Sequence, residues 1–406
     1  MALPLFTRFG RDRVILAGVI FVTLLAQVLL YPGIADLVDA LGATTDLDAS
    51  MWFLVAEFGA FVAFAAVWGA LSDRAGRRIP FIALGATIAA TCYLLMAIGG
   101  TLWGLSFETV LGLRIIQGAG SVGAFSLAIT MLMDLEGGHG RNMGAAGIAI
   151  GSGTALGAPI GGALSAVAVI LPLVIASLLF FVVVLLVLAV PDRAPSGGRP
   201  SVVRVIGDLR RQPDLGLPYA FGFIDRMTAG TFSLVGVFYF RDEFGLDPFE
   251  TGLFLMLFFA PFALFQYPFG TISDRVGRFI PVVGGSLCFG SAIILVGQMP
   301  SLTFLAITML FVGIFGALVA PATMALVTDI SRGTRRGVGM AGFNIAGSLG
   351  FLAGIVIGTL VADAFGFPAA FAVIGGLEIL IALASIPWFR RLHSHVPAVD
   401  VPGVSE

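Results

Sequence analysis

The chain of 406 residues contains no lysine, only two cysteines and three histidines, and few charged residues of any kind (11%). A Walker phosphate-binding loop needs Gly-Lys-Ser or Gly-Lys-Thr, so an ATP-driven pump of that chemistry is excluded. The hydrolase motifs H-E-x-x-H and G-x-S-x-G are absent as well. Cys92 and Cys288 each lie in an apolar run, which is typical of buried packing residues. The sequence therefore predicts no enzyme, no cofactor and no metal site.

Apolar residues make up 58% of the chain, and the mean hydropathy of +1.03 lies well above the values of soluble globular proteins. Residues 142–191 and 279–328 contain no charged side chain, and each stretch is long enough for two spans of roughly 20 residues. The pattern predicts an all-α membrane protein with twelve transmembrane helices. The predicted spans, in chain order, are 13–35, 50–71, 79–99, 104–133, 141–164, 168–190, 215–240, 250–272, 279–299, 301–329, 336–362 and 367–389.

All 22 basic residues are arginines, and most of them fall in segments that an even number of spans places on one side. The segments on the other side carry mainly acids, among them Asp36, Asp242 and Asp363. By the positive-inside rule we expect both termini to be cytoplasmic, in a multi-pass protein of the plasma membrane. The basic loops then need no nucleic-acid partner to explain them.

A charged box occurs twice between apolar runs, as GALSDRAGRRIP at 69–80 and as GTISDRVGRFIP at 270–281, so that shared residues lie 201 positions apart. Such an internal repeat indicates two similar helix bundles. The one long polar stretch, rich in Pro, Gly, Ser and Arg, lies between them. We therefore predict a first bundle at 1–190, a cytoplasmic linker at 191–214, and a second bundle with a short cytoplasmic tail at 215–406.

This layout resembles the major facilitator superfamily of secondary transporters, and the first half is most similar to its twelve-helix drug-proton antiporters. The family's box G-x-L-a-D-r-x-G-r-[RK] matches Gly69, Leu71, Asp73, Arg74, Gly76, Arg77 and Arg78. The second copy keeps Gly270, Asp274, Arg275, Gly277 and Arg278, but has Ile272 for the leucine and Phe279 for the second basic residue. The resemblance implies two pseudo-symmetric six-helix bundles.

The boxes are predicted to be gate elements at the cytoplasmic surface. The positive end of the eleventh span, which begins near Arg336, can attract Asp73, and symmetry puts Asp274 near the start of the fifth span. Gly69 and Gly270 would let the paired helices approach. Two further pairs, Asp134 with Arg141 and Asp329 with Arg336, lie 195 residues apart from each other. They either join this gate or form a solvated face. The predicted gating set is Gly69, Asp73, Arg74, Gly76, Arg77, Asp134, Arg141, Gly270, Asp274, Arg275, Gly277, Arg278, Asp329 and Arg336.

The fourth span carries RIIQGAGS from Arg114 to Ser121, similar to the family's R-x-x-Q-G-x-G segment. An arginine some 15 Å deep in a span is costly unless it faces a cavity or a partner. Arg114 is therefore either functional or a structural arginine bonded to carbonyls of a broken neighbouring helix. Gln117 shares its face, and Gln27 in the first span is a further candidate for the cavity.

The fifth span has closely spaced glycines and one proline, at Gly153, Gly157, Pro159 and Gly161. This is close to the family's antiporter signature, although the proline is displaced by one position. Small residues at every fourth position also favour simple close packing of helices. Both interpretations, packing alone and packing with an antiporter-type kink, stay open at this point.

Three acids fall within predicted spans: Glu57, Asp225 and Glu378. Buried carboxylates are the usual proton carriers of transporters. Asp225 is the first choice, because the seventh span lines the central cavity in the resembled family; its neighbour Arg226 offers the alternative of a locked ion pair. Glu57 is the second choice or a rim residue. Glu378 comes third, because the family's twelfth helix is peripheral.

These features predict an alternating-access secondary transporter that acts as a monomer in the lipid bilayer. The favoured function is proton-coupled export of a small amphipathic or hydrophobic molecule, and the alternative is symport or uniport of a metabolite. A non-transporting membrane sensor of the same fold would not need two charged boxes. The predicted residues for substrate or proton binding are Gln27, Glu57, Arg114, Gln117, Asp225 and Arg226.

Overall fold

A computed structural model describes residues 8–43, 46–135, 139–192, 207, 209–210, 212–331 and 336–395, and every regular element in these ranges is helical. The helices of the first half are α1 (Arg8–Val28), α2 (Ile34–Ala40), α3 (Leu47–Ala75), α4 (Ile79–Ile98), α5 (Phe107–Met133), α6 (His139–Val167) and α7 (Leu171–Leu188). Those of the second half are α8 (Gly216–Thr231), α9 (Val237–Phe244), α10 (Pro248–Val276), α11 (Gly285–Val296), α12 (Leu302–Ile330), α13 (Arg336–Phe365) and α14 (Phe367–His395). Most of the predicted linker at 191–214 lies outside the described residues.

Local sequence explains where the two box-bearing helices begin and end. Asp46 caps α3 by accepting a hydrogen bond from the amide of Ala49 at 3.1 Å, and Asp247 caps α10 in a reciprocal pair with Glu250. Both helices are 29 residues long and end at the box glycine, Gly76 or Gly277, whose positive φ angle most other residues would resist. The boxes therefore mark equivalent helix ends in the two halves. We refer to the side where these ends lie as the box end, and to the other side as the opposite end.

Within the described ranges, nine helices are long and apolar enough to cross a membrane, namely α3 to α7, α10, and α12 to α14. Two predicted spans are interrupted. The first ends at Val28, and the chain turns before α2 because Pro32 cannot donate a backbone hydrogen bond. The seventh contains a π-helical turn at Phe232–Gly236 between α8 and α9, where the Ser233 hydroxyl donates to the carbonyl oxygen of Gly230 at 2.7 Å. A similar turn at Ile280–Gly284 precedes α11.

Glycines set the closest helix contacts, and they do so in the same way in both halves. The row of glycines on α6 faces α1. A Cβ atom added to Gly161 would overlap the backbone of Leu29, just after the end of α1. In the second half, a Cβ at Gly350 or Gly354 on α13 would overlap the backbone of α8 at Phe223 or Met227. These stripes are thus close-packing surfaces, as small residues at membrane helix crossings usually are. Gly153 and Gly157 belong to the same α6 surface.

The two halves contact each other from mid-helix to the opposite end. A Cβ at Gly162 on α6 would overlap the carbonyl oxygen of Pro248, and one at Gly252 on α10 would overlap that of Ala158 beside Pro159. The rings of Phe58 on α3 and Phe351 on α13 lie 4.4 Å apart. Towards the box end, α10 is exposed instead, with 83% of Tyr267 accessible. The contacts between the halves described here thus lie between mid-helix and the opposite end, and α10 is accessible towards the box end.

Candidate functional site

A closed polar cluster lies within the first half, and we call it the Glu57 cluster. The Arg114 guanidinium donates to one Glu57 oxygen at 2.5 Å and to the Gln117 side-chain oxygen at 2.7 Å. The Glu57 Oε1 atom also accepts from the amides of Gln27 at 3.1 Å and Gln117 at 3.2 Å. Gln117 in turn donates to the Ser121 hydroxyl at 2.6 Å. Three helices, α1, α3 and α5, thus contribute to one hydrogen-bonded network.

The charges of the Glu57 cluster compensate each other, and its ion pair is sealed from solvent. Glu57, Arg114 and Gln117 have no accessible surface. The Arg114 guanidinium also lies over the rings of Phe53, 4.4 Å from the centroid, and Tyr93, at 5.5 Å. Its partner is therefore the acid Glu57 rather than free carbonyls of a broken helix. The sequence did not predict this pairing, because no local pattern relates two residues that are 57 positions apart. The only indication was that both charged residues lie well inside their predicted spans.

The second half holds a different arrangement around Asp225 and Arg226 on α8. Both carboxylate oxygens of Asp225 are inaccessible and form no hydrogen bond. Arg226 is exposed although it lies deep in a helix and its side chain runs along Gly347 of α13. An exposed charge at this depth needs water or a polar partner. Part of the Arg226 side chain is thus accessible where it packs along α13, while both oxygens of the neighbouring carboxylate are enclosed by protein.

Glu378 on α14 is the third acid of the predicted spans. Its side chain has no accessible surface and lies against α11, where a Cβ on Gly290 would approach the Glu378 Cβ atom to 3.2 Å. Sequence reasoning ranked this acid last, because α14 was expected to be peripheral. The signal available was the charge itself, since an unexplained acid in the middle of an apolar span is rare.

The two boxes form corresponding ion pairs within their own halves. Arg278 donates to Asp329 at 2.8 Å, to Asp274 at 2.6 Å and to Ser273 at 2.9 Å. Partial burial lowers the pKa of Arg278, but the hydrogen bonds to Asp329 and Asp274 outweigh this and hold the pKa above its ordinary value. These contacts tie the end of α10 to the end of α12.

In the first box the corresponding arginine is Arg78, which pairs with Asp134, and not Arg77, which is exposed. The backbone amides of Arg78 and Ile79 donate to the Asp192 carboxylate at 2.9 and 3.3 Å. Asp192 therefore holds the start of α4, a role that the sequence did not suggest. Arg78 could have been found from the second basic position of the box.

The remaining gate candidates are placed as follows. Gly69 is buried and Asp73 is half-buried. A Cβ atom added to Gly270 would lie 3.7 Å from the side chain of Pro321, which is ordinary contact. Arg74 and Arg275 are exposed at the box end. Arg141 and Arg336 lie in α6 and α13, but their side chains are outside the described part of the chain. The contacts of Arg78 and Arg278 described above each stay within one half.

An ion pair joins the two halves at the opposite end. Arg241 of α9 donates to one carboxylate oxygen of Asp36 in α2 at 3.0 Å, with the other at 2.9 Å. A pocket of about 690 Å³ beside this pair is lined by further acids, Asp46, Asp242 and Asp363. In the described ranges, these acids are not grouped so as to hold a metal ion. The pair adds a polar contact to the glycine crossings that join the halves.

Comparison with known proteins gives a consistent picture. The Major Facilitator Superfamily model matches residues 16–239 and 219–402. An uncharacterized MFS-type transporter of Methanocaldococcus jannaschii is 34% identical over 139 residues, which are 33% of this chain and 36% of that protein. The class G tetracycline resistance protein of Vibrio anguillarum is 27% identical over 310 residues, 72% of this chain and 77% of that protein. The chain thus spans about a third of the first relative and three quarters of the second.

Among solved structures, a bacterial homologue of the human lysosomal transporter Spinster, in an inward-facing and occupied conformation, superimposes with a TM-score of 0.79. The match covers 95% of this chain and 98% of that protein at 14% sequence identity. At this identity the likeness concerns the fold alone.

Proposed function

The chain belongs to the Major Facilitator Superfamily, and from that premise we propose that it is a proton-coupled exporter of small amphipathic or hydrophobic molecules. The proposed cycle is alternating access by two pseudo-symmetric bundles of six spans, with both termini in the cytoplasm and the protein acting as a monomer in the plasma membrane. The matching α6–α1 and α13–α8 crossings support the pseudo-symmetry. The tetracycline resistance relative supports the direction of transport.

The box end faces the cytoplasm in this proposal, as the distribution of arginine suggests. In the proposed cycle, a cytoplasmic substrate enters between the halves at this end; the contacts between the halves from mid-helix to the opposite end support this direction of entry. Closure of the box end would bring Asp73 towards the start of α13 and Asp274 towards the start of α6, where unpaired amides favour a carboxylate. Arg278 would then exchange partners, since Asp274 and Asp329 hold it now.

Proton coupling rests on the contrast between the enclosed Asp225 carboxylate and the exposed Arg226 beside it. This contrast is the observation that carries the proposal. An enclosed carboxylate without hydrogen bonds favours its protonated form. The ionised form of Asp225 can instead be stabilised by the positive charge of the adjacent Arg226 guanidinium. If the two forms favour different conformations of the halves, proton exchange at Asp225 drives the cycle. Arg226 would face the substrate in the space between the helices.

The test is gradient-driven transport in proteoliposomes by the Asp225→Asn variant, which keeps the shape of the protonated side chain. A thermal-shift screen that begins with tetracycline and continues with amphipathic dyes selects the compound. We expect Asp225→Asn to bind this compound but not to accumulate it against a gradient. The matched control is Glu108→Gln, an exposed acid at the start of α5 that does not line the pocket between the halves, which should accumulate it normally.

Accumulation by Asp225→Asn would place the proton site elsewhere, and Glu57→Gln is then the next variant to measure. Accumulation by that variant too would show that coupling needs neither acid. Flux in the unmodified protein that only equilibrates the compound, whatever the pH gradient, would favour the uniport of a metabolite over proton-coupled export. Proton movement in the same direction as the substrate would favour symport. A complete absence of flux, with ligand binding retained in the unmodified protein, would favour the sensor alternative.

A further inference from the structure

Arg226 lies deep in a membrane span, and in the part of the chain that the structure describes no acceptor forms a hydrogen bond with its guanidinium. The neighbouring Asp225 does not supply one, because neither of its carboxylate oxygens takes part in a hydrogen bond. Arg114, in the first half, instead donates to Glu57 at 2.5 Å. Since a guanidinium keeps its charge, Arg226 needs an acceptor that its described surroundings do not provide.

The accessible side of Arg226 lies beside a contact between the two halves. Its side chain crosses α13 at Gly347, where an added Cβ atom would lie 3.0 Å from the Arg226 Cγ atom and 3.7 Å from its guanidinium carbon. One turn further along α13, towards the opposite end, the ring centroid of Phe351 lies 4.4 Å from that of Phe58 in the first half. Protein also surrounds Arg226 at longer range, although the side chain itself is accessible. Its accessible side therefore faces an internal space between the halves, and not the lipid.

The wall of this space is aromatic. From the contact of Phe351 with Phe58, a chain of rings leads towards the box end of the first half, with centroid distances of 6.3 Å and 5.7 Å to Phe61 and then to Phe125. All four rings are partly accessible. Asn344 adds an exposed amide on the same face of α13, two turns before Phe351. One cation and one amide thus lie next to a row of apolar rings.

We infer that this space binds amphipathic organic anions, whose charged group Arg226 recognises and whose apolar part packs against the four phenylalanine rings. A guanidinium binds a carboxylate or a phosphate through two parallel hydrogen bonds, and aromatic rings bury an apolar group effectively. Glu57, the acid next to Phe58, does not compete for Arg226, because Arg114 already binds it. The transport of such anions rests on the proposed function, whose substrates it narrows, whereas their binding does not.

Gly347 is the positioning residue of this site. The Arg226 side chain lies directly against it, so the methyl group of an alanine would push the Arg226 Cγ atom aside. Gly347→Ala therefore displaces the guanidinium without removing its charge. Arg226→Lys is the converse change, because its ammonium group keeps the charge but cannot form two parallel hydrogen bonds to one carboxylate.

Isothermal titration calorimetry on the purified full-length protein in lipid nanodiscs tests the site, with empty nanodiscs as the blank. The probes are phenylacetate, 1-naphthaleneacetate and 1-pyreneacetate, each compared with its neutral amide and with the 2-arylethylamine of the same ring. We expect at least one carboxylate to bind about 10-fold more tightly than its amide, the usual effect of a charged hydrogen bond. Arg226→Gln should abolish this preference and Arg226→Lys should retain part of it. The matched control is Arg390→Gln, at an exposed arginine near the end of α14, which should retain all of it.

Equal affinities for carboxylate and amide, tighter binding of the amine, no binding of any carboxylate, or an unchanged preference in Arg226→Gln would each overturn the anion site. Should Arg226→Gln not fold, Gly347→Ala decides instead. It should weaken the binding of the carboxylate and leave that of the amide unchanged, and equal effects on both would contradict recognition by Arg226.

The accumulation assay in proteoliposomes separates this site from the proposed export. Anion-selective binding by a protein that accumulates no carboxylate would retain the site and refute export of its ligand. Proton-driven accumulation of an amide or an amine, without preference for the carboxylate, would retain the exporter and refute the anion site.

Discussion

At the scale of the residue, the three acids within the predicted spans differ in what surrounds their carboxylates. Glu57 accepts hydrogen bonds from Arg114, Gln117 and Gln27, so its charge is compensated in place. Asp225 and Glu378 have no such donors. A carboxylate surrounded by donors stays ionised and holds helices together, whereas an uncompensated one must bind a proton. This contrast favours Asp225 over Glu57 as the group that exchanges protons.

Glu57→Gln should destabilise the protein without abolishing proton coupling. The substitution leaves the Arg114 charge buried and unpaired, which typically costs about 3–5 kcal/mol. Thermal unfolding in detergent measures this effect, and Glu243→Gln, at an exposed acid of α9, is the control. The double variant Glu57→Gln with Arg114→Met should recover part of the loss. Equal unfolding temperatures for Glu57→Gln and Glu243→Gln would contradict a stabilising role for the Glu57 cluster.

At the scale of the element, the polar cluster depends on how closely α3 and α5 approach. Gly118 of α5 lies directly against the backbone of Glu57, where a Cβ would come within 2.9 Å of the Glu57 Cα atom. The side chains of Arg114 and Gln117, on the same face of α5, reach Glu57 only because of this approach. The glycine thus fixes the geometry of a salt bridge to which it contributes no atom.

Gly118→Ala should therefore destabilise the protein by about 1–3 kcal/mol, the usual range for overpacking. The matched control is Gly112→Ala on the same helix, because a Cβ there would have no neighbour within 4 Å. That substitution should stabilise α5 by about 0.5–1 kcal/mol through helix propensity. Thermal unfolding of the two variants side by side provides the measurement. Similar unfolding temperatures would mean that α3 can move away from α5 without loss.

Much of this element-level structure could be predicted from the sequence. Apolar runs gave most of the helices, and the repeated box correctly indicated two equivalent helix ends, at Gly76 and Gly277. The π-helical turn at Phe232–Gly236 was not predicted, because the glycines at both of its ends are equally typical of close helix packing and the bond from the buried Ser233 hydroxyl to Gly230 is visible only in the structure. Contacts between distant residues, such as Glu57 with Arg114, were also beyond reach, since they depend on which helix faces align.

The box pairs illustrate a second limit of sequence reasoning. Aligning the two copies equates Arg278 with Arg77, yet Arg78 makes the corresponding contact with Asp134. A shift of one residue in a turn is invisible to motif matching, because both positions carry arginine in the first copy. The gating roles of these residues stay predictions, as do the substrate and the direction of transport.

At the scale of the whole molecule, the ion pair between Asp36 and Arg241 crosses the two halves at the opposite end. Both side chains are partly exposed, at 37% and 21%, so the pair contributes about 0.2–1 kcal/mol. A contact of this strength does not hold the halves together by itself. It can, however, shift the ratio of two conformations by a factor of up to about 5.

Arg241→Gln should therefore favour the conformation in which the opposite end is open. The readout is the rate at which an impermeant maleimide labels the Ala35→Cys variant, at the edge of the pocket, after Cys92 and Cys288 are replaced by alanine. We expect Arg241→Gln to raise this rate by up to about 5-fold. The charge exchange Asp36→Arg with Arg241→Asp should restore the slow rate. Identical rates in all three proteins would show that the pair does not bias the conformations.

The helix crossings between the halves have a mechanical consequence. At about 1.5 Å per residue, the 29 residues of α10 form a rod of about 43 Å, and its tightest contact with the first half lies within two turns of one tip. With the fulcrum at Gly252, about 36 Å from the far tip, a tilt of about 10° displaces that tip by some 6 Å, enough to change the aperture by the width of a small molecule. The same tilt moves atoms near the fulcrum by less than about 1 Å. A repacking of one or two side chains around Gly162 and Gly252 is thus amplified along the lever arm into the opening and closing of the path.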